Sequence, residues 1–133
     1  AAIVQYVAGR IPGCGLAPLP FTLERYRLQE WLGFVGAELH KAFVPLFKPD
    51  TPDDYKRSVR EGLAARLGYV AAHLGGRDYL VGDRFTVADG YLFTVLGWCD
   101  AVGIDSGRWP ALVAFQERVG QRQSVRDALA AEG

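Results

Sequence analysis

The fold is decided by residues 86–102, which read TVADGYLFTVLGWCDAV. The only charged side chains in this segment are Asp89 near its start and Asp100 near its end, and the apolar residues point in every direction of a helical projection. A helix that is apolar all round is normally buried by other helices. We therefore expect a buried central helix from residue 86 to about residue 102, ended by Gly103.

The first residues of this segment form a capping box. The Thr86 hydroxyl is expected to accept the backbone N–H of Asp89, while the Asp89 carboxylate accepts the N–H of Thr86. Because both N–H groups would otherwise be buried without water, the box should stabilise the fold by about 1 to 2 kcal/mol. Asp89 is thus predicted to be structural and not catalytic.

The segments on either side of the central helix are amphipathic. A threonine cap and apolar residues at steps of three and four predict a long helix over 22–47. A second helix is expected to start with Thr51 as its cap and to end at Gly75. A third follows Pro110, and Ser124 is predicted to cap a last short helix. No alternating strand pattern occurs, so the sequence predicts an all-α helical bundle.

Residues 1–20 differ from the rest of the chain. A short amphipathic stretch at its start is followed by Gly9–Pro20, which is rich in glycine and proline and predicts a connector. The sequence contains no methionine, so we expect the chain to lack the beginning of its protein. We interpret 1–20 as the last helix of a preceding domain, or a first helix, plus a connector, and 21–133 as the all-α domain.

The composition excludes several classes of function. The 15 basic and 15 acidic side chains cancel, which leaves no electrostatic footprint for nucleic acid or for an anionic membrane. No apolar run is long enough to span a bilayer. Cys14 and Cys99 have neither CxxC spacing nor a disulfide framework, so no metal is expected and a reducing, cytoplasmic setting is predicted.

One stripe of residues along a predicted helix could form part of a binding or catalytic site. Gly33, Ala37, His40, Phe43 and Phe47 recur at steps of three and four, which places an imidazole between small residues and two aromatic rings. Such a stripe can wall an apolar ligand pocket. The alternative is a helix-packing seam that contains one hydrogen-bonded histidine. Neither interpretation gives a self-sufficient active site.

Several runs of sequence resemble the helical C-terminal half of bacterial, beta-class glutathione transferases. These runs are Ala2 to Ala8, Glu24-Arg25-Tyr26, Glu30-Trp31-Leu32, Glu38-Leu39-His40-Lys41, Pro45-Leu46-Phe47 and, above all, Gly82-Asp83-Arg84-Phe85-Thr86-Val87-Ala88-Asp89. The resemblance implies a homodimeric enzyme that adds the thiol of glutathione, a co-substrate, to small hydrophobic electrophiles in detoxification. It also implies a thioredoxin-like N-terminal domain, absent from this chain, that supplies the main thiol-activating residue. The chain alone is therefore expected to be inactive.

The resemblance also implies site residues. His40 would be an auxiliary catalytic group, and the glutathione contacts would be Gly33, Ala37, Glu38, Leu39, His40 and Lys41. The electrophile pocket would be formed by Phe43, Phe47, Tyr91 and Trp98. The sequence departs from the family at two positions: Gly33 replaces a common asparagine, and Gly90 replaces an apolar residue that would pack against Phe85.

Two other functions are compatible with a helical domain of this kind. One is a non-catalytic relative of the glutathione transferases that serves as a protein-interaction module. The other is the ligand-sensing bundle of a transcription regulator, which would need a basic recognition helix that the sequence does not contain. A catalytic cysteine, serine or tyrosine upstream of residue 1 would favour the enzyme.

Overall fold

The structure, a computed structural model, describes all residues from 1 to 133. Its seven α-helices are α1 (Ala2–Gly9), α2 (Leu23–Phe34), α3 (Lys41–Phe47), α4 (Asp53–Leu74), α5 (Val87–Leu96), α6 (Pro110–Gly120) and α7 (Gln123–Glu132). A π-helical segment (Val35–His40) joins α2 to α3, and two short 3-10 turns precede α6. No strand is present, which confirms the prediction of an all-α fold.

Helix α5 lies at the centre of the bundle and packs against α1, α2, the π-helical segment and α6. Its buried residues include Leu92, Val95 and Leu96, and they belong to one continuous core of 23 buried side chains. The prediction of a buried central helix is confirmed, but its predicted end is wrong. The α-helix stops at Leu96, before the poor helix former Gly97, and residues 100–102 form a 3-10 turn that Gly103 ends in a left-handed conformation.

The capping box at the start of α5 is present and larger than predicted. The Asp89 carboxylate accepts the N–H of Thr86 at 2.9 Å and also the N–H of Leu80, likewise at 2.9 Å. The carbonyl oxygen of Leu80 in turn accepts a hydrogen bond from Nε2 of His73 at 2.8 Å. Leu80, in the loop between α4 and α5, is thus held through both its N–H and its carbonyl group.

Phe85 precedes the box, and its ring lies where a side chain at position 90 would contact it, since a Cβ there would be 3.5 Å from Cζ of Phe85; glycine offers no such side chain. Its ring is instead covered by the guanidinium group of Arg122, whose Cζ lies 4.1 Å from the ring centroid. Tyr79 meets the same ring edge-on at 6.3 Å. A cation–π contact from the α6–α7 junction therefore takes the place of the missing apolar partner.

The long helix predicted over 22–47 is interrupted. Thr22 caps it as predicted, since its side chain accepts the N–H of Arg25 at 3.2 Å. Between Val35 and His40, however, the backbone is π-helical, and the N–H of Lys41 bonds to the carbonyl of Gly36, five residues back instead of four. The sequence pattern did not predict this segment.

Two predicted caps are wrong. Thr51 does not cap α4, which begins at Asp53 after an N-cap position occupied by Pro52 without a side-chain hydrogen bond. Ser124 lies inside the first turn of α7, whose N-cap position is held by Arg122. Ser and Thr are frequent in loops as well as at caps, so the residue type alone did not fix these boundaries.

Helix α1 packs against the bundle on one side only. Ala8 is buried, and the side chain of Gln5 accepts a hydrogen bond from Arg25 of α2. On the other side Ile3, Tyr6 and Val7 are 78%, 66% and 57% exposed. One apolar face of α1 is therefore uncovered. Residues 10–22, which follow, are non-helical, so the glycine- and proline-rich stretch leaves the helix after Gly9.

Candidate functional site

A cluster of aromatic rings surrounds Trp98, which follows α5. Its indole meets three rings edge-on, namely His40 at a centroid distance of 4.9 Å, Phe43 at 5.7 Å and Phe47 at 5.9 Å. His40 ends the π-helical segment, and the two phenylalanines belong to α3. The structure thus places next to one another the imidazole and three of the four aromatic residues predicted for the electrophile pocket.

The fourth of these residues, Tyr91, contacts His40 directly. Its hydroxyl oxygen lies 2.7 Å from Nδ1 of His40, and the two rings are nearly perpendicular at a centroid distance of 5.8 Å. Burial raises the pKa of the Tyr91 phenol above its ordinary value of 10.0, so the hydroxyl keeps its proton at neutral pH. His40 is therefore held between α5 and Trp98 and is half-buried.

The side chains of this cluster differ in how much of each is exposed to solvent. The Phe43 side chain is completely buried and supports Trp98 from within the core. Phe47 is 51% exposed, and Tyr91 and Trp98 are half-buried. A ligand at this face would therefore touch Phe47, Tyr91 and Trp98, whereas Phe43 could act only through its packing.

Three of the predicted glutathione contacts lie at the surface of the same helical stretch. Gly33, Ala37 and Lys41 are all exposed. The ammonium group of Lys41 makes no ion pair within the chain, whose four salt bridges involve other residues. Its charge is thus available to an anionic group such as a carboxylate.

The other two residues of this run have partners inside the chain. The Glu38 carboxylate accepts a hydrogen bond from Nε of Arg66 on α4 at 2.8 Å, and both side chains remain partly exposed. The Leu39 side chain is fully buried in the core. A glutathione molecule could therefore contact position 39 only through the backbone, and contact with Glu38 would compete with its ion pair.

The two cysteines differ in exposure, and the buried thiol of Cys99 is unsuited to act as a nucleophile. Cys99 is buried beside Asp100, and burial raises the pKa of its thiol to about 11. Cys14 is exposed in the connector, where its thiol contacts the carbonyl of Ala8 at 3.4 Å. The two thiols are free, and neither lies in the aromatic cluster.

An aromatic cleft between α2 and α4 has no counterpart among the sites predicted from the sequence. It has a volume of about 510 Å³ and is lined by Trp31, Phe34, Tyr69 and His73 together with charged side chains. The rings of Trp31 and His73 are 4.5 Å apart, and those of Phe34 and Tyr69 are 5.3 Å apart. The residues recur at helical spacing on both helices, but only their packing shows that they face one another.

The structure contains no group of three or more His, Cys, Asp or Glu side chains arranged to hold a metal ion. None of its helices combines the length and the apolar character that crossing a bilayer requires.

Comparison with known proteins supports the resemblance found in the sequence. Residues 34–123 match the family described as glutathione S-transferase, C-terminal domain. The glutathione S-transferase GstA of Escherichia coli O157:H7 is 45% identical over 132 residues, which are 99% of this chain and 66% of that protein. The chain therefore spans about two thirds of that relative's length.

Two solved structures have the same fold over nearly the whole chain. A ternary complex of BphK, a bacterial glutathione S-transferase, is 55% identical and superimposes with a TM-score of 0.97. A sphingomonad glutathione S-transferase complexed with glutathione is 47% identical, with a TM-score of 0.96. In each comparison the match covers 99% of this chain and 66% of the other.

Proposed function

The chain belongs to the glutathione S-transferase family, as a C-terminal domain of the bacterial type, and we propose that it is the helical half of an enzyme that conjugates glutathione. The observation that supports this proposal is that His40, Phe47, Tyr91 and Trp98 lie together at one face, with the exposed Lys41 next to His40 in the chain. Glutathione is the co-substrate, and the second substrate is a small hydrophobic electrophile. The resulting activity would serve detoxification.

We propose that the other half of the active site lies in a thioredoxin-like domain that precedes residue 1. The uncovered apolar face of α1, with Ile3, Tyr6 and Val7, is the surface that this domain would bury. In this arrangement 1–20 belong to the domain junction, and the main thiol-activating residue comes from the preceding domain. Cys14 and Cys99 take no part in the reaction.

In the proposed reaction the glutathione thiol loses its proton and the thiolate attacks an electrophilic carbon, so that a C–S bond forms. An electronegative substituent leaves, or a polarised double bond accepts the electron pair and a proton. His40 stabilises the thiolate by a hydrogen bond, which lowers the cost of ionising the thiol. Lys41 attracts a glutathione carboxylate, and Gly33 and Ala37 offer exposed surface on the same helical stretch. Glu38 contacts glutathione in competition with its ion pair to Arg66, and Leu39 contacts it only through the backbone.

The hydrophobic electrophile is proposed to lie against the exposed parts of Phe47, Tyr91 and Trp98. Flat apolar molecules gain from contact with aromatic faces and edges, and burial of their surface contributes about 25 cal/mol per Å². Phe43 supports this wall from the core. No metal or other cofactor enters the mechanism.

The proposal is tested by assaying the intact protein and the 133-residue chain side by side. A chloronitroaromatic electrophile with glutathione is the substrate pair, because the conjugate absorbs light and chloride is released. We expect conjugation by the intact protein and none above the uncatalysed rate by the chain alone. An intact, folded protein that binds no glutathione and conjugates nothing would contradict the enzyme and favour the interaction module.

Two further properties belong to the same proposal. We propose that the intact protein is a homodimer, which sedimentation of the purified protein would test through its molar mass. We also propose a cytoplasmic location, since both cysteines are free in the structure and free thiols persist in reducing compartments. Recovery of the native protein in the periplasmic fraction of its host would contradict this location.

A further inference from the structure

We propose that Tyr91 is a positioning residue for His40, which it holds with Nδ1 as acceptor and with the Nε2–H free to donate to the glutathione sulfur. The inference rests on the proposed function and gives Tyr91 a second task besides walling the electrophile site. Three observations support the inference: the hydrogen bond between the two side chains, the rings that pack against the imidazole, and the absence of a hydrogen-bond partner for Nε2 of His40.

The first step is the geometry of the pair. The Tyr91 hydroxyl lies 2.7 Å from Nδ1 of His40, within the range of a strong O–H···N hydrogen bond. Trp98 meets the imidazole edge-on at an angle of 78°. With Tyr91 and Trp98 both packed against it, the imidazole has little freedom to rotate about its side-chain torsions.

The second step is the direction of the proton. A phenol whose pKa is raised by burial keeps its hydrogen, so the Tyr91 hydroxyl can donate to Nδ1 of the neutral imidazole. When Nδ1 accepts, the ring proton must reside on Nε2. Nε2 makes no hydrogen bond within the chain, and it is not among the enclosed polar atoms without a partner. It therefore remains accessible as a donor.

The third step is the backbone that presents His40. Ala37 and Lys41 on the same stretch are exposed, whereas His40 faces α5. The π-helical segment ends at this residue, and its wider turn changes the direction of every side chain after it. Because π-helical turns inside α-helices are frequent at functional sites, the segment agrees with a role for His40 that goes beyond packing.

A double-substitution cycle in the intact enzyme tests the proposal. Tyr91→Phe removes the hydroxyl and keeps the ring. We expect kcat to fall about three- to tenfold, because one neutral hydrogen bond is lost. The KM for the electrophile should be unchanged. In a His40→Ala background the same change should have no further effect, because Tyr91 acts through His40. Effects that multiply in the double variant, or an unchanged kcat in Tyr91→Phe, would overturn the proposal.

The matched control is Tyr79→Phe. The Tyr79 hydroxyl makes no side-chain hydrogen bond, and its ring packs against Phe85, away from the cluster, so kcat should stay at the wild-type value. Thermal melts of all variants separate a catalytic effect from a loss of fold. A fall in kcat that follows the melting temperature in every variant would show that Tyr91 is merely structural.

A second readout does not depend on activity. This chain contributes two histidines, and nitrogen NMR of the ¹⁵N-histidine-labelled intact protein identifies their signals by comparison with the His40→Ala and His73→Ala variants. His40 should show an unprotonated Nδ1 and a proton on Nε2, and Tyr91→Phe should move its signals and leave those of His73 in place. A proton on Nδ1 of neutral His40 would overturn the inference whether or not the protein is a transferase. Absence of conjugation with the expected spectrum would contradict only the proposed function.

Discussion

Replacement of the buried carboxylate at the start of α5 gives the sharpest test of how this fold is held together. Asp89→Ala leaves two backbone N–H groups, those of Leu80 and Thr86, without the acceptor that each now has at 2.9 Å. A buried donor left unpaired costs about 1 to 3 kcal/mol. Asp89 is fully buried, so the substitution also removes the free-energy cost of burying a charge. This gain offsets part of the stability lost with the two hydrogen bonds.

We therefore expect Asp89→Ala to lower the free energy of unfolding by about 2 to 5 kcal/mol, a large part of the stability of an ordinary domain. The assay is urea denaturation at pH 7, followed by helix circular dichroism, with a check that the m-value is unchanged. Asp53→Ala is the control, since Asp53 lies exposed in the first turn of α4 and caps nothing. Asp53→Ala should lower the free energy of unfolding by less than about 1 kcal/mol. Equal small effects of the two substitutions would refute the reasoning.

Three further predictions concern reactivity and binding. At pH 8 a soluble thiol reagent should modify Cys14 and leave Cys99 unmodified until the chain is unfolded, because burial raises the pKa of the Cys99 thiol to about 11. Mass spectrometry counts the modified thiols, and two of them in the native chain would contradict this prediction. His40→Ala in the intact enzyme should lower turnover by about ten- to a hundredfold with the melting temperature nearly unchanged, and unchanged turnover with a collapsed melting temperature would remove His40 from the site. The 133-residue chain alone should show negligible binding of glutathione in calorimetry, and a micromolar dissociation constant, worth about 8 kcal/mol, would overturn the division of the site between two domains.

Local sequence patterns predicted the helices well because each pattern depends on near neighbours. The Thr22 cap and the buried character of the segment after Thr86 follow from residues within one or two turns of each. The same kind of signal failed at Thr51 and Ser124, where a suitable side chain was present but the helix began elsewhere. A polar residue can cap a helix only if the chain before it turns in the right way, and that turn depends on packing.

The candidate site was predicted in part. The helical spacing of His40, Phe43 and Phe47 indicated one stripe, and the resemblance to a family added Tyr91 and Trp98. The hydrogen bond between His40 and Tyr91 joins residues 51 positions apart, so no local pattern contains it. The burial of Phe43 also depends on neighbours from other helices, which is why a predicted pocket wall lies inside the core.

The bond from Leu80 to Asp89 was missed for a similar reason. The capping-box pattern concerns only residues 86–89, whereas the second acceptor contact depends on the path of the loop between α4 and α5. That path is fixed from the other side by His73, whose Nε2 donates to the carbonyl of Leu80. A structural role for this histidine follows from the loop and not from any motif.

The π-helical segment also limits how this protein can change in length. A π-helical turn holds about one residue more than the α-helical turn that it replaces, and one residue corresponds to about 100° of rotation along an α-helix. Deletion of a single residue between Val35 and Leu39 would let the helix run on regularly, with all its backbone bonds made. His40 and the helix after it would keep their direction, because the residue removed is the extra one that the wider turn absorbs. Deletion of one residue within α2, where no wider turn absorbs the change, would instead rotate His40 away from α5 by about 100°, so one-residue gaps in related sequences should fall in the π-helical segment and not in α2.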